Sequence, residues 1–305
     1  MHAKVAELEK IKVGAVSYLN TKPLLYGIEH DATLMQMVEL TVGHPADIAS
    51  RLQQGSIDVG LVPVAIIPSL PGAEVVSAYC IAADGEVASV GLFSEVPLEK
   101  VERVLLDYQS RTSVALCKLL LEQYWKIQVE TVPAGEDFIA EIKGTTAGVI
   151  IGDRALQQKA VSPFMYDLAG AWKVFTGLPF VFAAWVANKP LPENFIRLFN
   201  AANAAGLEHL DDVIAANPFA PYDLKTYYRN NISYLLDDPK NNVININDQF
   251  LHTQFFALID KNGNMRGGVY DGLRQEDMDK LKSDVQILLK EKAGNGNFTN
   301  HLFGN

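Results

Sequence analysis

The chain has 305 residues, and its 26 Lys and Arg against 36 Asp and Glu give a formal net charge of −10. With 49% hydrophobic and 20% charged residues, the composition is that of a globular protein and excludes an intrinsically disordered one. An acidic chain with no apolar run long enough to span a bilayer is expected to have neither nucleic acid nor a membrane as a partner. The length predicts about two domains.

The N-terminal stretch 1–12 mixes charges of both signs and lacks the apolar core of a signal peptide. This pattern predicts a cytoplasmic protein. Cys80 and Cys117 each lie in an apolar segment, so buried thiols are predicted rather than a disulfide.

The first predicted strand, Ile11–Val16, runs into a loop of small and polar residues that ends at Pro23. Because proline suits the first turn of a helix, the pattern predicts a strand, a polar loop and a helix. In an open α/β sheet, ligands bind outside the carboxyl ends of the strands. The side chains that would line such a crevice are Ser17, Tyr18, Asn20 and Thr21, although an ordinary connecting loop explains the same spacing.

Helices and strands then alternate through the first part of the chain. The predicted elements are helices at 24–28 and 45–54 and strands at 34–40, 58–63 and 75–82. Pro45 suits a first helical turn, and Gly55 suits a helix stop. This alternation is typical of an α/β sheet.

A second α/β set follows, and the chain then returns through a long apolar strand. The predicted strands are 86–94, 104–107, 129–132, 147–152 and Phe180–Ala187. The first predicted helix begins at residue 110 or 112 and ends near residue 124, and the others are 137–142, 194–209 and 224–236. We predict two α/β lobes, one formed by 11–92 with 186–236 and the other by 93–185. Two chain crossings, near 89–94 and 182–186, are expected to form the hinge.

Four stretches resemble the chorismate dehydratase family, in that family's order and at its spacing. They are 17–24 (Ser-Tyr-Leu-Asn-Thr-Lys-Pro-Leu), 85–90, 110–114 and 176–185. The resemblance covers residues 11 to about 236. It implies a type II periplasmic-binding-protein fold with a ligand cleft between the lobes. It also implies a lyase that needs no cofactor and dehydrates chorismate to 3-enolpyruvyl-benzoate, the first step of the futalosine route to menaquinone.

The resemblance implies that Asn20 and Ser89 are catalytic. An amide and a hydroxyl can hold the leaving oxygen of the substrate, but neither is a strong base near neutral pH. We therefore expect the enolpyruvyl carboxylate of chorismate to accept the ring proton. The expected substrate-binding residues are Ser17, Tyr18, Ser110, Arg111, Thr112, Ser113, Gly152 and Asp153.

Several of these positions have a structural alternative. Hydroxyl and N–H groups at a helix start form an anion site, yet Ser110 and Thr112 also suit plain helix capping. Asp153 follows a predicted strand, and its position suits a helix cap better than a ligand contact. Trp172 and Trp185 could line the pocket, although aromatic side chains more often pack in the core.

Two other functions share this fold. The first is a non-enzymatic solute-binding protein. The second is a dihydroxynaphthoate synthase, and the resemblance implies that this enzyme would use a histidine in its cleft. The six histidines show no metal-binding spacing, so no metal is expected.

The resemblance to the dehydratase family stops at about residue 237. Residues 255–260 and 265–270 flank an Asn-Gly turn and predict a β-hairpin, and 275–291 predict an amphipathic helix. The region 237–293 resembles the C-terminal half of a thioredoxin-like copper chaperone in which the position of His252 binds copper. Because the paired thiols of that site are missing, we do not expect copper binding. We expect 294–305 to be disordered.

Overall fold

The computed structural model describes residues 10–70, 72–236, 255–259 and 265–271, together with residues 276, 279–281, 283 and 284. The first elements in chain order are β1 (Ile11–Val16), α1 (Lys22–His30), α2 (Ala32–Met37), β2 (Val38–Gly43), α3 (Pro45–Gln53), β3 (Val59–Pro63) and β4 (Glu74–Ala83). Short 3₁₀ segments at Leu19–Thr21 and Val64–Ser69 follow β1 and β3.

The middle of the chain is a second set of strands and helices. Its elements are β5 (Val90–Ser94), β6 (Arg103–Leu106), α4 (Arg111–Leu119), β7 (Glu130–Pro133), β8 (Thr146–Ile151), α5 (Asp153–Lys159), β9 (Phe164–Asp167) and α6 (Leu168–Thr176). A π-helical turn, Leu120–Tyr124, extends α4, and 3₁₀ turns lie at Leu98–Lys100 and Phe138–Glu141.

The chain then returns to the first set. The returning elements are β10 (Phe180–Ala187), α7 (Glu193–Glu208), α8 (Leu210–Ala216), α9 (Leu224–Thr226), a π-helical turn Tyr227–Asn231 and β11 (Ser233–Leu235). Two more strands, β12 (Phe255–Ile259) and β13 (Met265–Asp271), form a hairpin.

The strands form two larger sheets. The first has the order β11-β4-β10-β3-β1-β2, and the second has the order β7-β6-β8-β5-β9. In the first sheet β1 is parallel to β2 and β3, whereas β10 is antiparallel to β3 and β4. In the second sheet β6 is parallel to β7 and β8, and β5 is antiparallel to β8 and β9. The mixed α/β architecture with two sheets agrees with the predicted fold class.

The chain crosses between the sheets earlier than the sequence suggested. Val90 pairs with Ile151, so β5 belongs wholly to the five-stranded sheet. Phe180 pairs with Ala83, so β10 belongs wholly to the six-stranded sheet. The two connections are therefore 84–89 and 168–179, rather than 89–94 and 182–186 as expected.

Four predicted elements differ from the structure. The helix predicted at 137–142 is only a 3₁₀ turn, Phe138–Glu141. The strand predicted at 34–40 is instead α2 followed by β2, because the Asp31 carboxylate accepts N–H bonds from Thr33 and Leu34 and starts a helix there. Residues 86–89 form a turn before β5 and not a strand. The helix predicted at 224–236 ends after a π-helical turn, and the chain enters β11. The elements β9, α6 and α8 had not been predicted.

Helices α1 and α7 pack so closely that their backbones touch. A Cβ atom on Gly27 would lie 1.8 Å from the Ala202 carbonyl oxygen, and one on Gly206 would lie 1.9 Å from the Pro23 carbonyl oxygen. Only glycine fits at these two positions. The crossing fixes α1, and with it the polar loop that precedes α1.

The hydrophobic core continues through both sheets. Val13 and Leu61 of the first sheet belong to the same cluster of buried side chains as Leu92 and Val149 of the second. Cys80 and Cys117 are free and buried, as predicted. Among the described helices, none combines the length and the apolar character that a membrane crossing requires.

The C-terminal region contains the predicted hairpin, in which Phe255 pairs with Asp271 and Ile259 with Met265. Leu281 is helical, 3% exposed and part of the main core cluster. His252, the stretch 294–305 and most of the helix predicted at 275–291 lie outside the described residues. The thioredoxin-like character of 237–293 stays a prediction.

Candidate functional site

A pocket of about 540 Å³, which includes space open to solvent, lies between the two sheets. Val16 and Pro63 place it at the carboxyl ends of β1 and β3, and Ile151 places it at the carboxyl end of β8. The polar side chains that line it are Tyr18, Asn20, Thr21, Ser89, Ser110 and Ser113. The described residues that line the pocket include no Asp, Glu, His, Lys or Arg. The pocket therefore offers neutral hydrogen-bonding groups within a largely apolar wall.

Six of the ten residues predicted to be catalytic or to bind substrate meet in this pocket: Tyr18, Asn20, Ser89, Ser110, Ser113 and Gly152. Thr21, predicted to line the crevice, lines the pocket as well. The other four, Ser17, Arg111, Thr112 and Asp153, are not among its lining residues. Trp172 and Trp185 are 2% and 0% exposed and pack in the core, and the aromatic side chain that lines the pocket beside Tyr18 is Phe182.

The residues outside the pocket have structural contacts. The Ser17 N–H donates to the Gly43 carbonyl oxygen over 3.0 Å. Thr112 Oγ1 accepts a hydrogen bond from the Ala65 N–H over 3.2 Å and so joins α4 to the segment after β3. Arg111 is exposed. Arg111 and Thr112 are therefore not brought into the pocket, and a direct contact of either with a ligand stays a prediction.

Asp153 connects the two parts of the site. Its Oδ1 atom accepts a hydrogen bond from the Leu19 N–H over 3.0 Å, although the two residues lie 134 positions apart. The N-cap of α5 is Gly152, and no side chain caps this helix. Asp153 is thus neither the helix cap nor a pocket residue. It holds the polar loop after β1 against the start of α5.

Burial raises the pKa of the Asp153 carboxyl, and the Leu19 N–H and the Lys22 charge offset this only partly. The folded chain therefore binds this proton more tightly than the unfolded chain. As the pH rises from 3.8 through the raised pKa, the contribution of Asp153 to the free energy of unfolding falls, and above that pKa it is constant.

We expect Asp153→Asn, which keeps an oxygen acceptor for Leu19, to remove this pH-dependent fall in stability. Urea unfolding of the wild type and of Asp153→Asn at several acidic pH values checks this prediction. If the difference between their free energies of unfolding did not change with pH, the prediction would be contradicted.

Tyr18 is held by a polar network at the edge of the pocket. Its hydroxyl donates to Gln109 Oε1, which also accepts from Arg154 Nη2 over 2.8 Å. The same Arg154 nitrogen donates to the buried Asp107 carboxylate over 2.5 Å. Burial raises the pKa of Tyr18 well above its ordinary value, so the phenol remains a hydrogen-bond donor. Gly152 has φ of +65°, and a Cβ atom there would lie 3.1 Å from the Tyr18 ring, so both the backbone and the space favour glycine.

The start of α4 contributes two further polar side chains to the pocket, Ser110 and Ser113. Ser110 is the N-cap, and its Oγ atom accepts the Ser113 N–H over 3.1 Å. The Ser110 hydroxyl donates to Ser113 Oγ over 2.9 Å, which leaves the Ser113 hydroxyl hydrogen free for another acceptor. Capping and ligand binding, which the sequence left as alternatives, are compatible here.

Ser89 stands at the end of a strained turn. Ala88 has φ of +61°, a conformation that costs an L-residue about 1–2 kcal/mol. The Asp167 carboxylate holds this turn by accepting hydrogen bonds from the N–H groups of Val87 (3.2 Å) and Ala88 (2.7 Å), and it also caps α6 through Gly170 (2.9 Å). The turn is what places Ser89 in the pocket.

We expect Asp167→Ala to lower the free energy of unfolding by about 3 kcal/mol, because two buried N–H groups and a helix cap lose their acceptor together. Urea unfolding followed by circular dichroism measures the loss. Asp223→Ala is the matched control, since Asp223 caps α9 through Thr226 but is exposed, and we expect a smaller effect there. Equal losses in the two variants would contradict the role given to Asp167.

Two tyrosines, one in the π-helical turn before β11 and one in β11 itself, contact the candidate catalytic residues from the side away from the pocket. The Tyr227 hydroxyl donates to Ser89 Oγ over 2.7 Å, and the Tyr234 hydroxyl donates to the Asn20 carbonyl oxygen over 2.9 Å. The partners lie 138 and 214 positions apart in the chain. Neither tyrosine was predicted as a site residue, because no local pattern relates residues so far apart.

None of the described histidines lines the pocket. His44 is exposed, and its ring centroid lies 6.5 Å from that of Tyr18, outside the residues that line the pocket. Within the described part of the chain, no three His, Cys, Asp or Glu residues are grouped as metal ligands would be.

Comparison with known proteins relates the chain to one family. A family model described as menaquinone biosynthesis matches residues 11–244. A protein of Thermus thermophilus named chorismate dehydratase is 27% identical over 252 residues, which cover 74% of this chain and 90% of that protein.

Solved structures share the fold at low sequence identity. A protein of Archaeoglobus fulgidus has a TM-score of 0.56 at 16% identity and covers 72% of this chain and 90% of its own. A Candida albicans gene product, described as exhibiting the generic periplasmic binding protein structural fold, has a TM-score of 0.51 at 12% identity and covers 93% and 92%. These likenesses concern the fold alone. They confirm the predicted two-lobed α/β fold of periplasmic binding proteins.

Proposed function

Because this chain belongs to the menaquinone biosynthesis family, we propose that it is a lyase that converts chorismate into 3-enolpyruvyl-benzoate and water. The observation that carries the proposal is the meeting of Asn20 and Ser89 in one pocket that lacks an acidic or basic side chain among its described lining residues. The chorismate dehydratase of Thermus thermophilus supports it as a relative. In this proposal the reaction is the first step of the futalosine route and takes place in the cytoplasm.

The reaction removes the C4 hydroxyl group and one ring proton of chorismate, and the ring becomes aromatic. Asn20 and Ser89 donate hydrogen bonds to the leaving oxygen and stabilise the charge that develops there. The lining residues supply no base of suitable pKa. The enolpyruvyl carboxylate of the substrate therefore accepts the ring proton as the C4–O bond breaks, and it passes this proton to the departing hydroxide, which leaves as water. The protein contributes orientation and neutral donors.

The remaining pocket groups hold the substrate. Ser110 and Ser113 lie at the start of α4, where N–H groups and the helix dipole favour a carboxylate. Tyr18 supplies an aromatic wall, and Gly152 allows that ring to approach the start of α5. Asp153 and Thr112 act as positioning residues between the lobes, which we propose to consist of 11–83 with 180–235 and of 90–167.

Incubation of the purified chain with chorismate, followed by chromatography and mass spectrometry, tests the proposal. We expect a product lighter than chorismate by one water, formed without added metal or nucleotide. Unchanged chorismate that still raises the melting temperature of the protein would contradict the enzyme and favour a solute-binding protein of the same fold. Unchanged chorismate with no shift in melting temperature would contradict both.

A further inference from the structure

The hydrogen bond between Tyr227 and Ser89 is buried on both sides. Its oxygen atoms are 2.7 Å apart, and both residues are 0% exposed. Ser89 lines the pocket, whereas Tyr227 lies behind it in the π-helical turn Tyr227–Asn231. Such turns occur often at functional sites. Asn231 in the same turn donates to the Glu86 carbonyl oxygen over 3.0 Å and so steadies the turn before Ser89.

The surroundings of the two hydroxyl groups decide the direction of this bond. Tyr227 is fully buried, and among the described residues Ser89 Oγ is the one hydrogen-bond partner of its hydroxyl, so the tyrosine hydrogen points to Ser89. Burial also raises the pKa of Tyr227 far above its ordinary value, so the phenol keeps that hydrogen. A serine hydroxyl has one hydrogen and two lone pairs. When one lone pair of Ser89 accepts the tyrosine hydrogen, the hydrogen of Ser89 itself must point elsewhere. Among the residues that the structure describes, no acceptor lies within hydrogen-bond distance of it, and the pocket is the neighbour that remains.

We propose that Tyr227 is a positioning residue that fixes Ser89 as a hydrogen-bond donor toward the hydroxyl group that leaves the substrate. This inference rests on the proposed dehydration of chorismate. In a chain of hydrogen bonds each donor polarises the next, so the tyrosine also makes the Ser89 hydroxyl a stronger donor. Without Tyr227, the Ser89 hydroxyl could rotate and would spend part of its time without donating into the pocket.

Tyr227→Phe and its neighbour Tyr228→Phe form a matched pair. Tyr228 is 2% exposed, and its hydroxyl has no hydrogen-bond partner among the described residues. We expect Tyr227→Phe to lower kcat for chorismate roughly 10- to 100-fold, less than the loss of a direct donor, with KM nearly unchanged. Tyr228→Phe is expected to keep both constants within about twofold, because it removes a hydroxyl that makes no bond.

A double-mutant cycle separates positioning from packing. In a Ser89→Ala background, Tyr227→Phe is expected to change kcat by less than about twofold, since its partner is already gone. An equal loss of kcat in both backgrounds would overturn the inference. If Tyr227→Phe does not fold, 3-fluorotyrosine at position 227 keeps the packing and donates more strongly. We then expect a higher kcat, and an unchanged kcat would overturn the inference.

The same assays distinguish this inference from the proposed function. A wild-type chain that does not dehydrate chorismate overturns the function and with it the role of Tyr227. An active wild-type chain whose kcat is insensitive to Tyr227→Phe overturns the role of Tyr227 alone.

Discussion

Ser89→Ala is expected to lower kcat for chorismate about 100- to 1,000-fold, the usual effect of removing one preorganised donor to a developing negative charge. Ser89 is fully buried, and alanine removes its hydroxyl without adding any atom that must be packed. Asn20→Asp is expected to have an effect at least as large. Thr21 donates to Asn20 Oδ1 over 3.2 Å, which leaves the amide nitrogen free to donate. Aspartate would replace this donor with a negative charge facing a dianionic substrate.

The measurement is steady-state turnover of chorismate, with thermal unfolding to verify the fold. Ser77→Ala is the matched control, because Ser77 is also buried and its hydroxyl also bonds to a side chain, that of Asn200, but it does not line the pocket. We expect nearly normal kcat in Ser77→Ala. Turnover close to that of the wild type in both Ser89→Ala and Asn20→Asp would rule out their catalytic roles.

Gly206→Ala is expected to lower the free energy of unfolding by about 3 kcal/mol or more, the upper range for overpacking. The added methyl would lie 1.9 Å from the Pro23 carbonyl oxygen, and a backbone atom cannot rotate away as a side chain can. Helices α1 and α7 must therefore separate. The gain in helix propensity from glycine to alanine, about 1 kcal/mol, is too small to compensate.

Urea unfolding gives the size of this effect. Gly135→Ala is the control, since Gly135 is exposed and a Cβ atom there meets nothing within 4 Å. We expect its free energy of unfolding to stay within about 0.5 kcal/mol of the wild type. A Gly206→Ala protein as stable as Gly135→Ala would show that the two helices do not touch at this point. Because α1 follows the loop that carries Asn20, we also expect Gly206→Ala to reduce turnover.

Local patterns predicted two pocket residues that lie at the ends of elements. Asn20 lies in the loop after β1 and Ser110 is the N-cap of α4, whereas Gly152, which follows β8, was expected only from the family resemblance. The side-chain directions on α4 were harder to predict. Ser110 and Ser113 are three positions apart and share a face, whereas Arg111 lies about 100° around the helix and is exposed.

The contacts between distant segments could not be predicted from local patterns. The role of Asp167 depends on the turn at Ala88, 79 positions away, and that of Tyr227 depends on Ser89. The prediction of a strand at 34–40 was wrong for a different reason. The apolar residues of that stretch fit either element, and the two hydrogen bonds of the Asp31 carboxylate decide for α2.

The position of β10 has a consequence for the order in which the protein forms during its synthesis. This strand lies between β3 and β4, yet about 100 residues separate it from them in the chain, and the five-stranded sheet is made in between. At about 5–20 residues per second, the ribosome delivers all five strands of that sheet before β10 appears. The smaller sheet can thus assemble early from contiguous chain. Strands β3 and β4 cannot pair through β10 until that strand has been synthesised. The pocket between the sheets is therefore completed only after β10 has joined the six-stranded sheet.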